Sequence, residues 1–249
     1  MKKIIIPILT ILLLFLVIFY YGNNDQTKII EKSLIPFSEI KLTVPEPSGL
    51  FFDDLTNTLW TVSDENSTVY NIDTTGNVIN KILVNGKDLE GISMQSDSIL
   101  VTILERERSV VFINKSGKEK NRVQLDLEGE PNKGIEGISF NSNNAHYFVI
   151  NEKQPGLLLE IGIQGKIIKK NKLNLASDYS GLFYDNGNDE LWIISDEEHS
   201  IYKCNTEGSL IEKYIVEIEQ IEGIAIDRKN EILYLVSDPE EKLYKFYLP

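Results

Sequence analysis

"LWTVSDENSTVYNID" at residues 59–73 comes back at 191–205 as "LWIISDEEHSIYKCN". Each copy is two short runs rich in β-branched and aromatic residues around an acidic turn, which is the pattern of paired strands. A chain that restates a hairpin has to be searched for a longer unit, because a period near 40 changes the fold class. The unit occurs five times, entered by "SGLFFD" at 48, "EGISMQ" at 90, "EGISFN" at 136, "SGLFYD" at 180 and "EGIAID" at 222. Its glycines, Gly49, Gly91, Gly137, Gly181 and Gly223, recur every 42 to 46 residues.

After each glycine an alternating run leads through a polar turn to a second run: "TLWTVSD", "ILVTILE", "YFVINE", "ELWIISD" and "ILYLVSD". A third run follows in all five units, and the first four add a fourth, as in "VINKILV" and "SLIEKYIV". Four strands at this period make a propeller blade. The spacing therefore predicts an all-β, five-bladed β-propeller of four-stranded antiparallel blades over residues 37–249. The fifth unit ends after three strands at "LYKFYLP", so "FSEIKLTV" at 37–44 is expected to supply its missing strand and close the ring. Closure removes a sheet edge that would otherwise invite pairing with other chains. Trp60, Phe148, Trp192 and Tyr234 fall at equivalent places in the second run and are read as packing between blades.

The first residues are of another kind. Lys2 and Lys3 precede an uncharged stretch from Ile4 to Tyr21, long enough to span a bilayer. Residues 1–21 are read as a cytoplasmic stub and single transmembrane helix, the lysines favouring a cytoplasmic N-terminus, and 22–36 as a polar tether. A cleaved signal peptide is the alternative, against which stand the length of the run and the lack of a small-x-small cleavage site. Either reading puts the propeller on the extracytoplasmic side of a cell membrane, periplasmic or extracellular.

Aspartate and glutamate number 38 against 25 lysines and arginines, a net charge of −13, which disfavours nucleic acid as a partner. Cys204 is the only cysteine, so neither an intrachain disulfide nor a thiolate metal cluster is available. The acids are ordered. Counting 14 or 15 residues from each glycine reaches Asp64, Glu105, Glu152, Asp196 and Asp238, the residues that close the second strands. The residue before the glycine is Glu90, Glu136 or Glu222 in three units and Ser48 or Ser180 in the other two. In an antiparallel blade the start of the first strand and the end of the second lie at the same face. Eight carboxylates are thus expected at one mouth of the central channel. Like charges so close call for a counter-charge, and a hard cation with many oxygen ligands, calcium before magnesium, is the natural one. The opposing reading is that an acid closing a strand organises the next turn.

Recognisable catalytic machinery is sparse. His146 and His199 are the only histidines, and neither a Gly-x-Ser-x-Gly elbow nor a His-Glu-x-x-His motif occurs. His199 is read as a solvated loop residue near the acidic end, and Arg106, Arg108 and Lys153 as salt-bridging partners for the acids.

The segments "PEPSGLFFD", "LWTVSDE", "KDLEGIS", "GIEGISF", "YSGLFYD", "LWIISDE" and "IEGIAID", together with the hydrophobic N-terminus, resemble the SdiA-regulated (YjiK-like) family of bacterial envelope proteins. The resemblance spans about residues 40–249 and implies a β-propeller, a bacterial source and an envelope location. More distantly the chain looks like calcium-dependent propellers such as β-propeller phytases and lactonase-like enzymes. The expectation is a membrane-anchored propeller that binds calcium at its acidic mouth and takes a small molecule or protein there. The alternative is a calcium-dependent phosphoesterase or lactonase-like hydrolase in which a carboxylate such as Glu136 handles the proton.

Overall fold

The computed structural model describes residues 31–128 and 133–249. The expected membrane span lies outside them, and no helix among the described residues is long and apolar enough to cross a membrane. Two short strands come first, β1 (Glu31–Leu34) and β2 (Ser38–Lys41). The first blade is β3 (Pro47–Asp53), β4 (Thr58–Ser63), β5 (Thr68–Asp73) and β6 (Val78–Leu83). The second is β7 (Leu89–Ser96), β8 (Ile99–Leu104), β9 (Ser109–Asn114) and β10 (Glu119–Gln124). The third is β11 (Ile135–Asn141), β12 (His146–Asn151), β13 (Leu157–Ile161) and β14 (Ile167–Lys172). The fourth is β15 (Gly181–Asp185), β16 (Glu190–Ser195), β17 (Ser200–Asn205) and β18 (Leu210–Val216). The fifth is β19 (Ile221–Asp227), β20 (Ile232–Ser237) and β21 (Lys242–Tyr247), completed by β2.

Each blade is an antiparallel meander, and five of them form the propeller. The strand sequences follow their place in it. Second strands such as "TLWTVS" in β4 are buried at every position, because a blade is covered on both faces by its neighbours. Outer strands such as "EKNRVQ" in β10 and "IIKKNK" in β14 are mostly exposed and charged, which protects an edge from pairing. Five hydrophobic clusters fill the five gaps between consecutive blades, one of them joining the last blade to the first. That closing cluster includes Leu42 and Val44, at 2% and 0% exposure, next to a stack of Phe52 on Tyr234 at 5.8 Å. Trp60, Phe148, Trp192 and Tyr234 are all buried, in the inter-blade role read from their spacing.

The closing strand is β2, whose register runs from Ser38 against Lys245 to Lys41 against Lys242. One expectation needs correction. Within the segment read as a tether, Glu31–Leu34 form β1, which pairs in parallel with β18 and gives the fourth sheet a fifth strand. Its residues are mostly exposed, so no apolar periodicity announced it.

Candidate functional site

A ring of glycines sets the geometry of the channel. A methyl group on Gly91 would lie 2.8 Å from the Ile138 nitrogen, and one on Gly137 2.8 Å from that of Leu182. One on Gly223 would lie 2.7 Å from the Gly49 carbonyl carbon. The innermost strands therefore meet backbone to backbone at this level, which is why every unit has glycine there. The ring and the aliphatic residues after it, Leu50, Ile92, Ile138, Leu182 and Ile224, surround a void of only about 10 Å³. Above this neck the channel opens into a cavity of about 290 Å³.

That cavity is acidic. Seven of the eight carboxylates singled out in the sequence line it: Asp64, Glu90, Glu136, Glu152, Asp196, Glu222 and Asp238. The eighth, Glu105, is buried beside it, with an oxygen within 4.8 Å of oxygens of Glu136 and Glu152. Lys153 is the one cation among the described residues lining the cavity, and it is held by Glu152 at 2.5 Å and Glu197 at 3.1 Å. Arg106 is paired with Asp88. His199 is not part of the lining; its Nδ1 lies 2.9 Å from the Ile218 carbonyl oxygen.

Three further acids belong to this end of the channel, Glu46, Asp88 and Asp178, all three residues before the glycine of their unit. The same counting that located the others would have found them. Their position is structural as well as electrostatic. The carbonyls of Glu46, Asp88, Gly134 and Gln220 accept the amides of Asp64 (3.4 Å), Glu105 (3.0 Å), Glu152 (2.9 Å) and Asp238 (3.2 Å). In the fourth blade the Asp196 amide turns instead to the Asp178 carboxylate at 3.2 Å, which also accepts the Ser195 hydroxyl at 2.5 Å.

This arrangement explains the restated hairpin. Its two copies belong to the blades with serine before the glycine, and there the acid closing the second strand meets an acid from the entering loop. Asp64 faces Glu46, and Asp196 faces the fully buried Asp178. A hydrogen bond between two carboxyls needs a proton, which favours the protonated form of Asp64 and of Asp196. Burial first, and the neighbouring acid second, raise Asp64 and Asp196 to about 7. Ser48 donates to Glu90 at 2.7 Å, and Ser180 to the Ile221 carbonyl at 2.6 Å, each reaching into the following blade.

The other three blades put glutamate at the serine position. Glu90, Glu136 and Glu222 are pushed well above the usual carboxylate range, by desolvation and then by the surrounding acids; in Glu90 the Ser48 hydrogen bond opposes this. Glu105, Glu152 and Asp238 are raised for the same first reason. The trio nearest one another is unequally served. Glu105 accepts the Gly134 amide at 2.9 Å and Glu152 has Lys153. Glu136, 9% exposed and facing the cavity, has no donor among the described residues. Asp238 Oδ1 is likewise buried without a partner. Unpartnered buried acids at a cavity wall are costly unless a counter-charge neutralises them. Two oxygens on one calcium ion, each at about 2.3–2.6 Å, can stand up to about 5 Å apart. The trio meets that limit, and an all-oxygen donor set suits calcium.

A family model described as SdiA-regulated matches residues 32–247. Among solved structures, a glutaminyl cyclase from Myxococcus xanthus superposes with a TM-score of 0.70 at 11% identity, over 88% of this chain and 97% of that one. A virginiamycin B lyase from Staphylococcus aureus gives 0.52 at 18% identity, over 85% and 70%. A luciferin-regenerating enzyme gives 0.55 at 13% identity, over 84% and 94%. At these identities the likeness is one of fold.

Proposed function

The chain belongs to the SdiA-regulated family, and from that premise we propose that it is a binding propeller whose acidic mouth holds a divalent cation, calcium by preference, and presents it to a small-molecule or protein ligand. The observation that carries this reading is Glu136, nine-tenths buried, facing the cavity and without a donor among the described residues. Glu105 and Glu152 are its nearest co-ligands, with Glu90 and Glu222 on the same wall. The chain's own task is to hold these acids together against their repulsion, through the glycine neck and the amide bonds at the strand ends. Calcium would supply the missing counter-charge and an electrophilic point for a ligand oxygen. The uncharged run at 4–21 supports the further reading that the propeller is tied to the outer side of a bacterial cell membrane by a single helix.

Thermal melting in EDTA and then in millimolar calcium tests the cation site. A ligand that binds only the folded state at 100 times its Kd adds about 2.7 kcal/mol, or roughly 5–10 °C for a domain of this size. Glu136→Gln should abolish most of that rise while leaving the EDTA melt the same or higher. A melt indifferent to calcium would remove the proposal.

One observation favours the second reading, a calcium-dependent phosphoesterase or lactonase-like hydrolase. A bare ion needs little more room than a water, whose share is about 30 Å³, and the cavity is about 290 Å³. Turnover of generic phosphoester, ester or lactone substrates that calcium restores after chelation would establish it, and no turnover across the panel would leave the binding role alone.

A further inference from the structure

The other end of the channel holds a second cavity, of about 480 Å³, beyond the glycine neck from the acids. All five blades contribute to it through the ends of their innermost strands and the turns that follow. Its chemistry is different. Phe51, Met94, Phe140 and Phe183 line it, each half-buried, packed against an inter-blade core and partly exposed. These positions follow the repeat too, lying two or three residues after the glycine.

The walls are fixed before any ligand arrives. The Phe140 amide donates to Ser93 Oγ of the preceding blade at 3.0 Å, and the Tyr184 amide to Ser139 Oγ at 3.0 Å. Asn186 donates to the Phe140 carbonyl at 3.1 Å and accepts the Ser142 amide at 2.7 Å. Such ties hold rings in place, so that binding costs little ordering.

The charges around this cavity are unbalanced. Arg228, the cation of the lining, is paired with the buried Asp185 and lies over the Trp192 ring at 6.0 Å. Lys115 nearby is bound to Asp53 at 2.8 Å. Asp54 and Asp97, both exposed and part of the lining, make no close ion pair or hydrogen bond among the described residues; Lys229 acts on Asp54 at longer range, and Asp53 and Asp227 outweigh it. Aromatic side chains in the lining and carboxylates at the rim suit a positive charge on an apolar body, since a π-system attracts a cation and the carboxylates steer it in.

We propose that this second mouth is a binding site for a small organic cation, an amine carrying an aliphatic or aromatic body. The volume suits such a ligand, falling within the roughly 300–1,000 Å³ of small-molecule pockets. This inference does not depend on the cation site at the opposite mouth.

Calorimetric titration with 2-phenylethylamine, against its neutral counterpart 2-phenylethanol, tests it in saturating calcium so that the acidic mouth is not a competitor. The amine is expected to bind about tenfold more tightly than the alcohol, the difference shrinking with added salt. Asp54→Asn with Asp97→Asn should bring the two within about twofold of each other. Phe183→Leu, which keeps the side chain apolar, should weaken the amine about fivefold and the alcohol less. The proposal is overturned if the amine does not bind at millimolar concentration, if the alcohol binds equally, or if the double aspartate variant leaves the preference intact.

Discussion

Gly49 sits at φ +51° in the neck, and a methyl group there would come within 2.9 Å of the Ile92 nitrogen. Left-handed strain and the contact with a neighbouring backbone add, so Gly49→Ala is expected to destabilise the fold by about 3 kcal/mol, read as a lower urea midpoint. An unmoved midpoint would mean that the inner strands do not close on one another here. Asp196 carries a second prediction at this scale. Its carboxyl is raised to about 7 by burial and by the hydrogen bond with Asp178. Asp178→Asn removes the neighbouring acid while leaving Asp196 buried, so the Asp196 carboxyl resonance should titrate lower by NMR but stay above the ordinary value. The acids themselves were legible from counting. That Asp64 and Asp196 pair with acids three residues before a glycine was not, because pairing depends on where the entering loop crosses the end of the second strand.

Among the elements, the two N-terminal strands make opposite contributions despite equal length. β2 completes the fifth blade and is followed by Leu42 and Val44, both buried in the cluster that joins the last blade to the first. β1 lies on the outside of the fourth sheet with mostly exposed residues. A chain starting at residue 37 should therefore unfold within about 1 kcal/mol of one that includes β1. A chain starting at residue 46 should not fold to a cooperative melt, because it opens the ring and loses two core side chains at about 2–5 kcal/mol each. Equal stability of the two truncations would mean that ring closure contributes nothing. β2 could be inferred because the fifth unit lacked a strand, whereas β1 joins β18 through backbone pairing, the ion pairs Lys32–Glu212 and Lys213–Glu31 and the packing of Leu34, and leaves no apolar pattern.

For the molecule as a whole, the acidic mouth makes stability depend on pH. Asp64 and Asp196 rise from an ordinary value of 3.8 to about 7 on folding, so between those limits the folded chain binds more protons than the unfolded one. Stability from this source is complete below about pH 4 and is lost as pH rises through 7. In EDTA the melting temperature should fall between pH 5 and pH 8. Calcium should flatten that slope by replacing protons at the mouth. A melt that rises over this range in EDTA would show that the acids are already compensated.

Sequence by itself determined the repeat, the number of blades, the closing strand and the gathering of acids at one face, because all follow from period-2 alternation and a spacing of 42 to 46 residues. It could not rank those acids. Only the tertiary structure left Glu136 without a donor among the described residues while giving Glu105 an amide and Glu152 a lysine, and only it set half-buried phenylalanines around the opposite mouth. Which groups a side chain meets across the axis depends on how five blades close on one another. That closure is decided by backbone contact at the glycine neck, not by the order of residues within any one unit.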